Sequence, residues 1–460
     1  MSREVPGRRT TLAYGGLALP LSTIGLPLSI YLAPFYAGEV GLPLAALGTA
    51  MLLARFADIV TDPVVGTLTD RWRPRIGRRR VWLLIGVPTL LVGLMQLFNP
   101  SPGVGFGYFL LWLAVMYLGF TMTRLPYHAW GGELSHDYHQ RTRIAAARQT
   151  FSILGLVLST IVPALVLARP GATGADVLRA LSLMSLVLVP IAALILFFGV
   201  PEPPPGPAER RAPVLQSLRL LRRNGPFKRI MIVLLLGFTA ETFRQTITVF
   251  FARDVVGVPN IGVVYVYYFV AGLLAVPLWR RLGGRLGKHR TLALAFVVTV
   301  VTNLLLFLVQ PGQVALFTVL FVLKGSCFGA LELLPAAIVA DTADVDTVMS
   351  RERRQGLFFA AMGVITNMGM ALGQFLSLNL LGVVGYQAAA GAANGPDQLL
   401  WLRLFYAVLP SLLLAGCIWL TWRYPLTAER HDRIRRHLDR RERLAAHPAA
   451  DLAVEQAVRP

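Results

Sequence analysis

Residues 181–200 read LSLMSLVLVPIAALILFFGV, and no side chain among them carries a charge. About twenty such residues form a helix long enough to cross the hydrocarbon core of a bilayer, which is ~30 Å thick. Similar stretches recur along the 460-residue chain, in which only 15% of the residues are Asp, Glu, Lys or Arg. Soluble domains contain about 25%. The sequence therefore predicts an all-α membrane protein with several spans and excludes an ordinary soluble enzyme.

Twelve apolar stretches of this kind can be placed on the chain. They are predicted at 12–36, 44–69, 81–99, 104–130, 144–168, 178–200, 229–252, 260–280, 290–309, 314–340, 356–383 and 402–422. The longest polar interruption follows the sixth stretch and begins with a proline, where a helix cannot continue. We therefore expect an N-terminal six-helix bundle over 1–200, a cytoplasmic linker over 201–228, a C-terminal six-helix bundle over 229–422 and a cytoplasmic tail over 423–460.

The chain has a net charge of +20, from 44 Lys and Arg against 24 Asp and Glu. The basic residues cluster in alternate connections, whereas the intervening connections nearly lack them. This positive-inside pattern predicts that both termini are cytoplasmic in a multi-pass protein of the inner (cytoplasmic) membrane. The basic loops then face anionic lipid, so we expect no nucleic-acid partner. The linker segment QSLRLLRR, residues 216–223, is predicted to form a short helix on the membrane surface.

The two halves of the chain repeat a pattern of charged loops. The segment 70–80 after the second stretch corresponds to 281–290 after the eighth, and 133–143 after the fourth corresponds to 341–354 after the tenth. Charged loops at matching places indicate an internal duplication. Parallel six-helix repeats around a central substrate site are the architecture of major facilitator transporters. We therefore predict two pseudo-symmetric six-helix halves that work by alternating access.

The second stretch contains the most specific motif, RFADIVTDPVVG at 55–66, followed by Asp70-Arg71 and by RIGR at 75–78. Further motifs are PY at 126–127, GEL at 132–134, DY at 137–138, RTR at 141–143, AD at 340–341 and RQGLF at 354–358. Together these residues resemble the glycoside-pentoside-hexuronide:cation symporters of the major facilitator superfamily. The resemblance covers both halves and implies the major facilitator fold and cation-coupled transport.

Asp58 and Asp62 are four residues apart, a spacing that places them on one face of a helix. A carboxylate in a spanning helix costs on the order of 2.5–3.5 kcal/mol on insertion scales. Such residues therefore usually face a cavity and bind ions, protons or each other. Two close carboxylates also repel unless a cation or a proton intervenes, which makes the pair a candidate coupling site. The alternative is a structural bridge from Asp58 to Arg55, three residues earlier.

The resemblance implies a further residue of the candidate cation site. In the resembling symporters the two matching acids bind the cation, and Thr121 stands at a further cation-site position. Thr61 stands where those relatives often carry Asn, so an amide ligand is lost. The coupling ion is therefore predicted to be either a sodium ion or a proton, without any other metal or cofactor.

The positions that hold sugar in the resembling permeases are changed here. Ser22 and Arg124 replace acids on the first and fourth helices, His128 replaces an aromatic residue, and Asn367 replaces a common Lys. These departures argue against melibiose as the substrate. Tyr127 and Arg148 complete the set of candidate substrate-binding residues.

Arg124 predicts the charge of the substrate. Its guanidinium is always ionised and offers forked donors suited to carboxylate, sulfonate or phosphate groups. It replaces an acid near the end of the fourth stretch, which inverts the local field. We therefore predict a negatively charged or strongly polar substrate, such as a sugar or a sugar acid. The alternative is that Arg124 only neutralises Asp58 or Asp62 across the helix interface.

A second group of charged residues resembles the loop motif of the superfamily, in which an Asp caps a helix end and bridges the other half in the outward-facing state. At these positions the chain has Asp70, Arg71 and Arg78. Matching lock elements are predicted at Asp137, Arg141, Asp341, Asp344 and Arg354. Solvated loops without a gating role are the alternative for these lock elements.

Four more charged residues lie inside predicted spans. Glu241 and Arg244 are three residues apart on the seventh stretch, and Lys324 and Glu332 are eight apart on the tenth. The first pair is close enough to meet on one helix face, and the residues of the second pair are about two turns apart. Either pair lines the substrate cavity or forms a structural bridge.

Several functions compete at this point. A lysolipid or amphipathic-lipid symporter is the main alternative to a sugar symporter, because vertebrate lysolipid symporters resemble the same family and share the Asp-x-x-x-Asp-Pro pattern. A membrane scaffold would not need paired carboxylates in a helix core. No nucleophile elbow, zinc spacing or phosphate-binding loop appears, which argues against an enzyme. We predict a monomeric symporter in the lipid bilayer with a small-molecule substrate.

Overall fold

The computed structural model describes residues 7–72, 74–135, 137–202, 224–350 and 354–446. Its regular structure within these ranges is helical, and twelve helices there are long and apolar enough to cross a membrane. The predicted linker helix at 216–223 and the end of the tail at 447–460 lie outside the described residues. The prediction of an all-α protein with twelve spans is confirmed.

The spans, labelled α1 to α12 in chain order, are Arg8–Ile30, Leu44–Arg71, Arg80–Phe98, Phe106–Glu133, His139–Val166, Gly174–Gly199, Gly225–Val256, Ile261–Leu286, Lys288–Phe307, Val314–Ser350, Gln355–Val383 and Pro396–Trp422. A short helix, Leu32–Gly38, follows α1, and a further helix, α13, covers Ala428–Ala446. Most observed ends lie within a few residues of the predicted ones. α10 is longer than predicted, because no Gly or Pro interrupts the sequence between residue 340 and Ser350.

The same helix pairs recur in both sets of six spans. In the first set α1 packs on α5, α2 on α4, and α3 on both α4 and α6. Six positions later α7 packs on α11, α8 on α10, and α9 on both α10 and α12. A pairing pattern that repeats at an offset of six is what an internal duplication produces. The chain therefore has the two pseudo-symmetric halves of a major facilitator fold.

The halves meet at the end of the bundle opposite the basic loops, here called the closed end. There α2 packs on α11 and α5 packs on α8. A Cβ atom on Gly48 would lie 3.1 Å from Phe375 O, and one on Gly262 would lie 2.6 Å from Ala164 N. Asn260 Nδ2 also donates to Ala164 O at 2.9 Å. Glycine at these two crossings lets the backbones of the two halves approach closely.

The buried apolar side chains are packed differently at the two ends of the bundle. One cluster of buried side chains runs through the first half and continues into the second, with members such as Tyr36 and Leu381 near the closed end. The other end, here called the basic end, has a separate cluster in the second half that includes Phe227 and Phe358. The halves therefore share a core mainly toward the closed end, and the space between them widens toward the basic end.

Candidate functional site

A cavity of about 470 Å³, here called the first cavity, lies between α2, α4 and α11. From α2 it is lined by Asp58, Asp62, Gly66 and Asp70, which recur every four residues and therefore share one face of the helix. Arg124 on α4 lines the same cavity. The face of α2 that the spacing predicted thus borders a cavity that runs from the middle of the bundle toward the basic end.

Asp58 is paired within its own helix. Arg55 Nη1 lies 3.4 Å from Asp58 Oδ2, and the Arg55 guanidinium lies 4.3 Å from the centre of the Tyr117 ring. The structural bridge named above as the alternative is therefore present. It leaves Asp58 in the lining of the cavity, with 13% of its side chain exposed.

Asp62 has partners on α4. Thr121 Oγ1 donates to Asp62 Oδ1 at 2.9 Å, whereas Arg124 Nη2 lies 4.0 Å from Asp62 Oδ2. At 4.0 Å the arginine attracts the carboxylate without a hydrogen bond. Thr61 Oγ1 is buried and has no hydrogen-bond partner among the described residues. One carboxylate oxygen of Asp62 is thus engaged, and the other is open to a cation or to a closer approach by Arg124.

The charges of the two acids and the two arginines beside them cancel when all four groups are ionised. Arg55 and Arg124 supply two positive charges, and Asp58 and Asp62 supply two negative charges. Balance of this kind offsets the cost of an unpaired charge in a spanning helix. A cation added between the acids must therefore displace a guanidinium from them, unless an anionic solute engages that guanidinium.

Two candidate substrate residues lie in different cavities. Asn367 lines the first cavity together with Arg124. Ser22 lines a second cavity, where its Oγ donates to Ser152 Oγ at 2.9 Å. The substrate positions suggested by the resemblance are therefore distributed over both sides of the space between the halves.

Three other candidates line neither of these two cavities. His128 Nδ1 lies 3.2 Å from Arg148 Nη1, which joins α4 to α5. Tyr127 is buried, stacks on Tyr14 with ring centres 4.7 Å apart, and donates its hydroxyl to Tyr14 O at 3.0 Å. In this conformation Tyr127 packs within the first half, and its role in substrate binding stays a prediction.

The second cavity also measures about 470 Å³ and is lined by α1, α5, α7, α8, α10 and α11, with one residue each from α9 and α12. Its charged lining residues among the described ones are Glu241, Arg244 and Glu332. Glu241 Oε1 lies 2.6 Å from Arg244 Nη2, as the spacing on α7 allowed. Lys324 Nζ lies 2.9 Å from Glu241 Oε2 on the neighbouring span.

Of the two alternatives for Lys324 and Glu332, the bridge within one helix is wrong, whereas Glu332 does line a cavity. The eight-residue spacing assumed an unbroken helix, but the α-helical part of α10 stops at Gly325 and resumes at Phe328. Lys324 and Glu332 lie on opposite sides of this interruption. The partner of Lys324 is on α7, and no spacing within one helix could have identified it.

Two predicted gate residues of the first half, Asp70 and Arg78, belong to an ionic cluster around Arg79 at the basic end. Arg79 Nη2 lies 3.0 Å from Asp70 Oδ1 and 2.5 Å from Glu133 Oε1. Arg78 Nη2 lies 2.8 Å from the same carboxylate. Glu202, after α6, accepts from the backbone N–H of Arg79 at 2.6 Å. The cluster joins the ends of α2, α4 and α6, and Glu133 is the shared acceptor that the charge pattern did not single out.

The second half has a corresponding cluster with a partner from the tail. Lys288 Nζ lies 2.7 Å from Asp341 Oδ1. From α13, His431 Nε2 lies 3.1 Å and Arg435 Nη1 lies 3.6 Å from Asp344 Oδ2. His431 Nε2 also lies 3.5 Å from Asp341 Oδ1, so the tail helix contacts α10 through both acids that the sequence assigned to the lock.

The remaining lock candidates lie in loops or helix ends at the basic end. Asp137 caps α5 by accepting a backbone N–H at 2.9 Å, and Arg141 Nε donates to a loop carbonyl at 2.8 Å. Arg71 is exposed at the end of α2, and Arg354 precedes α11. Their gating role stays a prediction.

The sequence matches a known family over most of its length. Residues 13–428 match the family described as MFS/sugar transport protein. The chain is 25% identical to the putative glycoside/cation symporter YagG of Escherichia coli (strain K12), over 88% of this chain and 89% of YagG. It is 23% identical to the sodium-dependent lysophosphatidylcholine symporter 1-A of Danio rerio, over 92% of this chain and 86% of that protein.

Among solved structures, the fold is similar to that of the nucleoside transporter NupG. The TM-score is 0.64, and the match covers 91% of this chain and 100% of the other. The sequence identity is 14%, so the likeness concerns the fold alone.

Proposed function

Because this chain belongs to the MFS/sugar transport protein family, and is therefore a membrane transporter and not an enzyme, we propose that it is a cation-coupled symporter. Its proposed substrate is a small polar or anionic solute, such as a sugar or a sugar acid. The relative named as a glycoside/cation symporter supports this class of substrate. The proposed coupling ion is a sodium ion or a proton.

The observation that carries the proposal is the pair of carboxylates in the middle of a spanning helix. Asp58 and Asp62 both line the first cavity, and Thr121 donates to Asp62. Carboxylate and hydroxyl oxygens are hard ligands that suit a hard cation, and the same carboxylates can bind a proton. We assign the coupling ion to these three residues.

Arg124 supplies a route for coupling. At 4.0 Å it is close enough to compete with a cation for Asp62 and free enough to turn toward a solute. An anionic solute that engages Arg124 leaves Asp62 available for the cation, so each ligand raises the affinity of the other. Such coupling is reciprocal by thermodynamic necessity.

The orientation of the chain in the membrane indicates which state of the transport cycle the structure represents. The positive-inside pattern supports a cytoplasmic location for the basic end. The halves are packed together at the opposite end, through α2 on α11 and α5 on α8. We therefore assign the structure to the inward-facing state, from which rocking of the halves closes the basic end.

The proposed function can be tested by ligand-induced thermal shifts of the purified protein. We expect D-glucuronate to raise the melting temperature, and sodium ions or a lower pH to increase that shift, because ligands that bind the folded state stabilise it. D-glucose serves as the uncharged comparison. Stabilisation by lysophosphatidylcholine alone would instead support the second candidate function.

That second candidate is a lysolipid symporter, and two observations favour it. One relative is named as a sodium-dependent lysophosphatidylcholine symporter. In addition, many side chains that line the second cavity are apolar, including Leu26, Phe238, Leu273 and Met370. An acyl chain would fit such a lining, whereas a sugar acid needs the polar residues on both sides of the space.

We expect Asp70→Ala to shift the population further toward the inward-facing state. The resemblance implies that Asp70 contacts the other half when the basic end closes, whereas in the present conformation Arg79 keeps Glu133 after Asp70 is lost. Loss of one partly exposed ion pair changes a two-state ratio by about two- to fivefold. The measurement is the labelling rate of an Asn367→Cys thiol from the basic end.

This experiment is done in a background in which the two buried cysteines, Cys327 and Cys417, are replaced by Ala. Asp397→Ala, an exposed acid in the first turn of α12, is the matched control and should not alter labelling. Equal labelling of Asp70→Ala and the parent protein from both sides would show that Asp70 has no gating role.

A further inference from the structure

The wall of the second cavity contains a charge cluster that the proposed coupling mechanism does not use. Glu241 on α7 receives three donors from the protein. Arg244 Nη2 lies 2.6 Å from Oε1, Tyr268 donates its hydroxyl to Oε1 at 3.4 Å, and Lys324 Nζ lies 2.9 Å from Oε2. Ionisable residues inside a membrane bundle are usually functional, since they are costly to keep there.

The cations of the cluster are themselves held by the protein. Arg244 also donates to Tyr406 OH at 3.0 Å, and Lys324 donates to Asn303 Oδ1 at 2.9 Å. Only 1% of the Arg244 and Lys324 side chains is exposed, against 25% of the Glu241 side chain. Glu241 is therefore the member of the cluster that a solute in the second cavity can reach most easily, with the two cations around it fixing its position.

The carboxylate of Glu241 retains one open acceptor position. An ionised carboxylate has about four lone-pair sites on its two oxygens. Arg244 and Tyr268 occupy those of Oε1, and Lys324 occupies one on Oε2. The remaining site on Oε2 belongs to a side chain that lines the cavity. A hydrogen-bond donor from a solute can fill this site without displacing any protein partner.

The charges around Glu241 select the kind of donor. The cluster has two positive charges and one negative charge, so a solute cation that approaches Glu241 also meets two fixed cations. A solute anion meets the carboxylate itself at contact distance. A neutral hydroxyl group avoids both of these repulsions. Its hydrogen bond to an ionised acceptor is also stronger than one between neutral groups.

The neighbouring lining suits a hydroxylated solute. Gln149 and Ser152 on α5 and Gln245 on α7 offer further donors and acceptors to the same cavity. Aromatic rings of Tyr268 and Phe269 on α8 line it as well. An apolar wall with a few placed polar groups is the usual make-up of a small-molecule site.

We propose that Glu241 is a substrate-binding residue that accepts a hydrogen bond from a hydroxyl group of the transported solute. The inference rests on the proposed transport function and deepens it, because it makes the substrate a hydroxylated compound and gives the second half of the protein a part in recognising it. It is independent of the coupling role of Asp58 and Asp62.

The test compares D-glucuronate with its 2-, 3- and 4-deoxy analogues by isothermal titration. For the unmodified protein, we expect one analogue to bind about tenfold or more weakly than D-glucuronate, because a site built around a hydroxyl rejects a solute that lacks it. In Glu241→Gln the penalty for the same analogue should fall to about threefold or less, since the acceptor is no longer charged.

Two further variants separate binding from folding. Glu332→Gln changes a carboxylate that lines the same cavity, and it should keep the full penalty for the deoxy analogue. Glu241→Gln leaves two buried cations without their counterion, so the double variant Glu241→Gln, Lys324→Met restores the original net charge of the cluster. It should show the same reduced penalty with a melting temperature nearer that of the unmodified protein.

An unchanged deoxy penalty in Glu241→Gln or in the double variant would overturn the inference and leave the proposed transport function standing. Failure of the unmodified protein to bind D-glucuronate and D-glucose would overturn the proposed substrate class, and the inference with it. The two failures are distinguished because the second is seen before any variant is made.

Discussion

Asp62→Asn protein is expected to lose concentrative uptake of D-glucuronate while it retains exchange of labelled for unlabelled solute. Asp62 accepts from Thr121 at 2.9 Å and has its second oxygen directed toward Arg124 at 4.0 Å. An amide at this position can neither bind a proton nor balance a sodium ion. The solute can still cross, but the ion gradient no longer biases the two states.

The expected effect is large. A tenfold ion gradient stores about 1.4 kcal/mol and sustains up to about tenfold accumulation when one ion accompanies each solute. The ratio of internal to external solute should therefore fall to about one in Asp62→Asn, as measured in proteoliposomes. Asp58→Asn should behave in the same way. Asp397→Asn, an exposed acid at the closed end, is the matched control and should accumulate solute normally. Normal accumulation by both Asp58 and Asp62 variants would place the coupling site elsewhere.

Arg124→Gln is expected to weaken D-glucuronate binding by about 10- to 100-fold, while D-glucose binding changes little. This range corresponds to the loss of hydrogen bonds between a guanidinium and a carboxylate. The same variant should bind the coupling ion more tightly in the absence of solute, because Arg124 no longer competes for Asp62. Titration calorimetry with each sugar, with and without sodium ions and at two pH values, measures both effects.

Arg124→Lys is the control for charge. It retains a positive charge near Asp62 but loses the forked donors. Its affinity for D-glucuronate should therefore lie between that of the unmodified protein and that of Arg124→Gln. If Arg124→Gln binds D-glucuronate normally and only the ion or pH response changes, Arg124 is a counterion of Asp62 and leaves the substrate charge undetermined.

Much of this fold could be predicted because each span is specified locally. A stretch such as 181–200 is long and apolar enough to determine a membrane helix without reference to any other part of the chain. The shared face of Asp58 and Asp62 follows from the helical period in the same way. Spacing alone therefore predicted that both acids face the same side of α2, which borders the first cavity.

Contacts between different helices were harder to predict from the sequence. A bridge from Lys324 to Glu332 on its own helix was one of two alternatives, but the helix is interrupted after Gly325 and Lys324 pairs with Glu241 on α7 instead. Tyr127 was predicted to bind substrate, and its stacking on Tyr14 inside the first half was not predicted. Such partners depend on how the spans are arranged around one another, and the hydropathy of a single span carries no information about that arrangement.

The closed end illustrates the same limit. Gly48 and Gly262 lie at close crossings between the halves, but nothing in their local sequence distinguishes them from the other glycines of the spans. The attachment of α13 to α10 through His431 and Asp344 is likewise a meeting of segments far apart in sequence. The sequence identified the charged residues at the basic end and left their partners open.

Coupling of transport to a cation is best measured by uptake of labelled D-glucuronate into proteoliposomes under an imposed sodium or proton gradient. We expect accumulation above equilibrium with an inward gradient of one of these ions, and loss of that accumulation when an ionophore dissipates the gradient. A rate and final level of uptake that do not respond to either gradient would show that transport is not coupled to these ions.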